Sequence, residues 1–213
     1  MYGTDTGGKS FYDDFWDNYQ ENGNRVDYAY GFAGYGWNDN YYKPKYPIKS
    51  KDTYMMFART RISKISGIDF SEAASFDYSF YYSNFLKEID LGSIPNAKSF
   101  SMSFSSGVIE TVRMRDVSEV CTFSNTFRAA SQLVNVDLTG SIGNDISFSD
   151  CKKLSRDSIF SVRNHLSGMV SGKTVTFSRT AVINAGYGDG DTLNEIDWAD
   201  FCGAVPNWTF SLI

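Results

Sequence analysis

The strongest constraint on this chain is an internal repeat between Thr53 and Leu154, where one pattern recurs five times at spacings of twenty-one to twenty-four residues. One line of it reads Thr53-x-Met55-x-Phe57, Phe76-x-Tyr78-x-Phe80, Phe100-x-Met102-x-Phe104, Phe123-x-Asn125-x-Phe127 and Asn144-x-Ile146-x-Phe148. Large residues alternating with small polar ones have the two-residue period of a strand. A second line follows each closing Phe: Ile65-x-x-Ile68-x-Phe70, Leu86-x-x-Ile89-x-Leu91, Ile109-x-x-Val112-x-Met114, Leu133-x-x-Val136-x-Leu138, then Leu154 alone. A unit this short cannot bury its apolar side by itself, so consecutive units must stack, Phe on Phe and Ile on Ile. The expected fold is mixed α/β, a right-handed solenoid with two parallel β ladders per coil.

Stacking also aligns the residues that alternate with the buried ones. On the second ladder the outward rows are Gly67, Glu88, Thr111, Asn135 and Asp69, Asp90, Arg113, Asp137. Arg113 and Arg115 break an otherwise acidic face. Asp69, Glu88, Asp90, Arg113 and Asp137 are therefore candidate ligand-binding residues, the competing reading being plain solvation of an exposed strand face.

Ahead of the repeats, Gly3 to Ser10 satisfies the letters G-x-x-x-x-G-K-S, but only Met1 and Tyr2 precede it. Phosphate binding by such a loop needs a buried strand leading into it, so no nucleotide is expected. From Ser10 a helix with Phe11, Phe15 and Tyr19 on one face is expected to close the first coil, ending at Asn22-Gly23. Residues 28 to 46 are rich in rings, and Trp37, Tyr41 and Tyr42 beside Asn38, Asp39 and Asn40 form a second candidate site. Exposed, they would be a stacking platform for a sugar; packed on the first coil they are a cap, and packing is the favoured reading.

Beyond Leu154 a helix capped by Ser155 is expected to carry Ile159, Val162, Leu166 and Met169 on one face and to stop at Gly172. Lys173 to Phe177 reads as a strand, and a last helix opens at the capping box Thr192-x-x-Glu195, burying Leu193, Ile196, Trp198 and Phe201. Trp208 to Leu212 is expected to pair with the strand around Val175. Asp189 and Asp191 begin like a calcium loop, but the next positions are wrong for one, and a Gly-rich turn is expected instead. His165, the only histidine, lacks a partner at ligand spacing and is read as a surface residue. No metal, cofactor or catalytic constellation is expected, and the chain is not read as an enzyme.

Three cysteines, Cys121, Cys151 and Cys202, lack any C-x-x-C spacing. Cys151 falls where earlier repeats place Ser83, Gly107 and Ala130, a small inward site suited to a reduced thiol. A net charge of −5 without a basic cluster argues against nucleic acid. The aromatic share of 16% is high, and the stacked lines account for much of the Phe. The absence of a long apolar window or an apolar leader argues against membrane insertion or a signal peptide, so a virion or larger parent chain would carry the protein outside a cell.

The Phe-x-x-Cys-x-x-Leu of Phe148 to Leu154, with Phe80, Leu86, Ile89, Asp90 and Leu91, resembles the BspA-like leucine-rich repeats of bacterial surface proteins and their phages. Tyr12 to Asp17, Asn22 to Arg25, Gly36 to Asp39, Pro44 to Pro47 and Asn207 to Ser211 are similar to flanking pieces of such proteins encoded by phages and prophages of gut Firmicutes. That resemblance implies a leucine-rich-repeat solenoid and a non-enzymatic adhesive or recognition surface. The expected organisation is an N-terminal helix and aromatic cap over 1–48, five repeats over 49–154 and a C-terminal cap over 155–213. The expected partner is a bacterial surface glycan or protein, with the protein on a virion or outside the cell. The alternative is an interaction or inhibitor factor in the host cytoplasm.

Overall fold

The computed structural model describes residues 53–213 throughout and, before them, only two short strands, β1 (Tyr41–Tyr42) and β2 (Ile48–Lys49). The expected N-terminal helix, the Gly3 to Ser10 stretch and Trp37 lie outside the described residues. The described part is mixed α/β with parallel sheets. Among the described residues no helix is long and apolar enough to cross a membrane.

The second line of the repeat forms β5 (Glu88–Ser93), β6 (Thr111–Val117) and β7 (Asn135–Gly140), paired in parallel in that order. Ile89, Val112 and Val136 stand in register and are buried, because a parallel register places equal positions of equal repeats side by side. The first repeat departs from expectation. Its buried residue is Ile62, 1% exposed, while Ile65 and Ile68 are only half-buried. Ile62 thus corresponds to Leu86, and the pattern reads Ile62-x-x-Ile65, three residues earlier than expected. Phe70 matches Ile94 instead of Leu91: Ala73 N–H donates to Phe70 O as Ala97 N–H donates to Ile94 O. Gly67 then stands where later repeats place Leu91, Met114 and Leu138. Without that third apolar anchor, β3 (Lys64–Ile65) pairs with β1 and β4 (Ile68–Asp69) pairs with β2, and neither joins the ladder of β5.

The first line is not a strand ladder except at its end. From Phe76 to Ser83 the chain runs through successive tight turns: Ser79, Tyr81 and Ser83 N–H donate three residues back, to Phe76, Tyr78 and Phe80 O. The alternate N–H groups of Phe76, Tyr78, Phe80 and Tyr82 donate to Ser99, Ser101, Ser103 and Ser105 O of the next repeat, at 2.8 to 3.0 Å. Two-residue alternation is real but is produced by turns, which leave Tyr78 and Tyr82 at φ +57° and place Met102, Ser106, Asn125 and Ala129 in the same left-handed region. Those middle residues are half-buried or exposed, not inward as expected.

Inside, the closing rings stack face to face from Phe57 through Phe80, Phe104, Phe127 and Phe148 to Phe177, with centroids 4.8 to 5.7 Å apart. Phe76, Phe100 and Phe123 form a second, shorter stack. Between the stacks run buried hydroxyls that return to the preceding repeat: Ser79 donates to Thr53 O, Ser103 to Phe76 O and Thr126 to Phe100 O. Buried hydroxyls need such acceptors, since an unpaired one costs about 1–3 kcal/mol. The small inward site behaves alike: Ser83 Oγ donates to Phe57 O and Cys151 Sγ, 3.8 Å away, to Phe127 O.

The C-terminal part adds the parallel sheet β8 (Ile146–Phe148), β9 (Lys173–Phe177) and β12 (Trp208–Leu212), in which β12 pairs with β9 as expected, Phe210 opposite Val175. Helix α1 (Arg156–Asn164) is capped by Ser155, whose Oγ accepts from Ser158 N–H. It ends before Leu166, which instead bridges to Ile142, and Met169 is 90% exposed. After α2 (Arg179–Val182), Gly188–Asp189 (β10) and Thr192–Leu193 (β11) close a hairpin through Gly190 at φ +58°, the Gly-rich turn expected there. Helix α3 (Glu195–Gly203) is capped by Asn194, not by a box opened at Thr192, because Thr192 is held in β11. Trp198 and Phe201 are buried as expected, but Ile196 is 74% exposed.

Candidate recognition face

The alternation that buries Ile89, Val112 and Val136 turns their neighbours outward. Glu88 stands opposite Thr111 and Thr111 opposite Asn135; Asp90 stands opposite Arg113 and Arg113 opposite Asp137. Glu88, Asp90, Arg113 and Asp137 are therefore brought together on one face. The cations reach diagonally across the strands: Arg113 donates to Glu88, and Arg115 Nη1 donates to both oxygens of Asp90 at 3.1 Å. The bond to Glu88 raises the Arg113 guanidinium above its ordinary value. Asn135 Nδ2 donates to Thr111 Oγ1, and Lys87 pairs with Glu110 at 2.8 Å. Exposed pairs of this kind are worth about 0–1 kcal/mol, so they set orientation more than stability.

At the outer edge of β5 lies a cavity of about 720 Å³, lined by Lys64, Ser66, Lys87, Glu88 and Asp90 among others. It opens where β3 and β5 fail to form a ladder. Pairing of Tyr41 with Lys64 and Tyr42 with Ile65 brings the backbone of β1 to the same flank. Asp69 belongs to β4 opposite Lys49, and its Oδ1 accepts from Ser71 N–H, so it does not continue the row of Asp90. Gly67 likewise leaves the outward row; the first-repeat positions equivalent to Glu88 and Asp90 are Lys64 and Ser66. Counting three residues back from Ile65 to Ile62 is the sequence signal that finds them.

Burial pushes the Cys121 and Cys151 thiols up to about 12 and Cys202 to about 11, which keeps them neutral. His165 is half-buried, with Nδ1 2.7 Å from Ser161 O. Among the described residues no three His, Cys, Asp or Glu side chains converge as a metal site. The face offers donors and acceptors of both signs on adjoining strands. Comparison of the chain with family models, with curated proteins and with solved structures finds no match in any of the three.

Proposed function

We propose that this protein is a non-enzymatic recognition module, a BspA-like leucine-rich-repeat solenoid that binds a bacterial surface glycan or protein from a virion or the cell exterior. The observation that carries this reading is the face of β5, β6 and β7, where Glu88, Asp90, Arg113, Arg115 and Asp137 are set in register on adjoining strands. The pairs Arg113–Glu88 and Arg115–Asp90 orient four of these side chains ahead of a ligand, which favours recognition. The in-register parallel strands and the ring stack of Phe57 to Phe177 support the solenoid. The neighbouring cavity beside Glu88 and Asp90 gives the face a concave margin.

The test is binding of labelled protein to intact cells of candidate Gram-positive hosts, comparing wild type with Asp90→Arg plus Asp137→Arg and with Trp37→Ala. Loss in the double variant assigns recognition to the strand face. Loss with Trp37→Ala alone moves it to the aromatic segment. No binding to any cell, with a specific partner recovered from host lysate, replaces this reading by the intracellular interaction factor.

A further inference from the structure

On the turn side of the first two repeats the backbone bonds define which residues are equivalent. Arg59 N–H donates to Tyr81 O, Tyr82 N–H to Ser105 O and Ser106 N–H to Arg128 O. Arg59, Tyr82, Ser106 and Ala129 thus occupy one position, and Ala58, Tyr81, Ser105 and Arg128 the one before it. The fold asks only for a residue as small as Ser or Ala there, yet the second repeat places two tyrosines. Tyr78 packs edge-on to Tyr81 with centroids 5.6 Å apart, Tyr82 lies 5.7 Å from Tyr81, and Phe85 follows Tyr82 by three residues in the chain. Tyr82 is 44% exposed and Phe85 45%. Single exposed rings are ordinary, but four rings close in sequence, two of them at positions where other repeats carry Ser or Ala, mark a contact surface.

Two cations border the rings. The Arg59 guanidinium lies 5.8 Å from the Tyr81 centroid and that of Arg61 5.7 Å from Phe85. Among the described residues neither has a carboxylate partner, whereas Arg113 and Arg115 on the strand face both do. In a chain of net charge −5 this is a locally cationic, ring-faced patch, complementary to an anionic ligand. The rings are tilted, 77° between Tyr78 and Tyr81 and 57° between Tyr81 and Tyr82, so they offer facets in several directions and not one flat apolar plane. Separate facets with phenolic tips suit consecutive pyranose units, whose C–H faces cover rings while their hydroxyls meet the phenols. The planar fork of Arg suits a carboxylate on the same sugar.

We infer that Tyr78, Tyr81, Tyr82 and Phe85, with Arg59 and Arg61, form a binding platform for a carboxylated polysaccharide, a uronic-acid chain, separate from the charged strand face. Calorimetric titration of the full chain with oligogalacturonate tests it, with the methyl-esterified oligomer and poly-glutamate as controls. The same rings without charge are expected to bind at least tenfold more weakly, and poly-glutamate, charge without sugar, weaker still. Tyr81→Ser plus Tyr82→Ser copies Ser105 and Ser106, residues the fold already uses at those positions, so it should leave the melting temperature unchanged and lower affinity at least tenfold. Arg59→Gln plus Arg61→Gln should erase the preference for the acid over its ester. Asp90→Arg plus Asp137→Arg should bind oligogalacturonate like wild type, which separates this site from the strand face. No binding of oligogalacturonate, unchanged binding in both platform variants, or equally tight binding of poly-glutamate overturns the assignment, the last favouring an acidic peptide.

Discussion

The two sides of each repeat share a two-residue alternation and reach it by different backbones. On the strand side, β5, β6 and β7 hold Ile, Val, Leu and Met at inward positions and polar or charged residues at outward ones, with Arg113 paired to Glu88 and Arg115 to Asp90. On the turn side the chain is folded into consecutive tight turns with every fourth residue in the left-handed region, and the inward positions hold stacked Phe. The turn side therefore carries more backbone strain, about 1–2 kcal/mol for each left-handed non-Gly residue. Ring burial and the hydrogen bonds between repeats offset it. On the strand side left-handed backbone is confined to Gly92, Asp116 and Gly140 near the strand ends, and the outer surface goes to polar groups.

The sharpest way to break this comparison is to remove a ring from the middle of the stack. Phe104 is 1% exposed and stacks on both Phe80 and Phe127. Phe104→Ala is expected to lower the stability measured by urea unfolding by about 3–5 kcal/mol. A loss below that of Val112→Ala would show that the strand side, not the turn side, dominates the core.

Next in size is the left-handed backbone. Asn125 is exposed at φ +51°, so little of its side chain is buried. Asn125→Val should cost about 1–2 kcal/mol, since a β-branched residue is poorly tolerated there, whereas Asn125→Gly should be neutral or stabilising. Equal effects of the two would mean that the turns are not held as described. Smaller again is Ser103→Ala, which removes the buried hydroxyl from Phe76 O and should cost about 1 kcal/mol. Arg115→Gln on the strand side should change stability by less than about 1 kcal/mol, and less still at high salt.

The thiols sharpen the same contrast through pH. Cys121 and Cys151 titrate at about 12 in the fold against an ordinary 9.0, because burial disfavours the thiolate. Raised folded values mean that this contribution is whole below pH 9 and is lost as pH climbs toward 12, where the unfolded chain has already released its protons. Native protein should accordingly be alkylated by iodoacetamide at half-buried Cys202 first, and at Cys121 and Cys151 only after denaturation. Rapid labelling of Cys151 in the native state would show that the ring stack opens locally near Phe127 and Phe148.

Much of the strand face was legible in the amino-acid order. Glu88, Asp90, Arg113 and Asp137 can be placed on one face by alternation alone, because parallel stacking of equal units leaves a single register. Asp69 could not, since Ile65-x-x-Ile68-x-Phe70 and Ile62-x-x-Ile65 both look apolar, and only burial of Ile62 and the Ala73 to Phe70 bond choose between them. The tyrosine and arginine platform was also hidden. Arg59 and Tyr81 are twenty-two residues apart and meet only because the turn side stacks.

The sequence by itself determined the repeat length, the stacking of Phe on Phe and Val on Val, and the strands at Lys173 and Trp208, since each follows from hydrophobic spacing that only one arrangement can bury. Tertiary structure decided that the first line is built of turns, that Ser79, Ser103 and Thr126 are buried donors, and that α1 stops before Leu166. Those outcomes depend on where a neighbouring repeat puts its carbonyls, and alternation along one chain carries no record of the acceptor beside it.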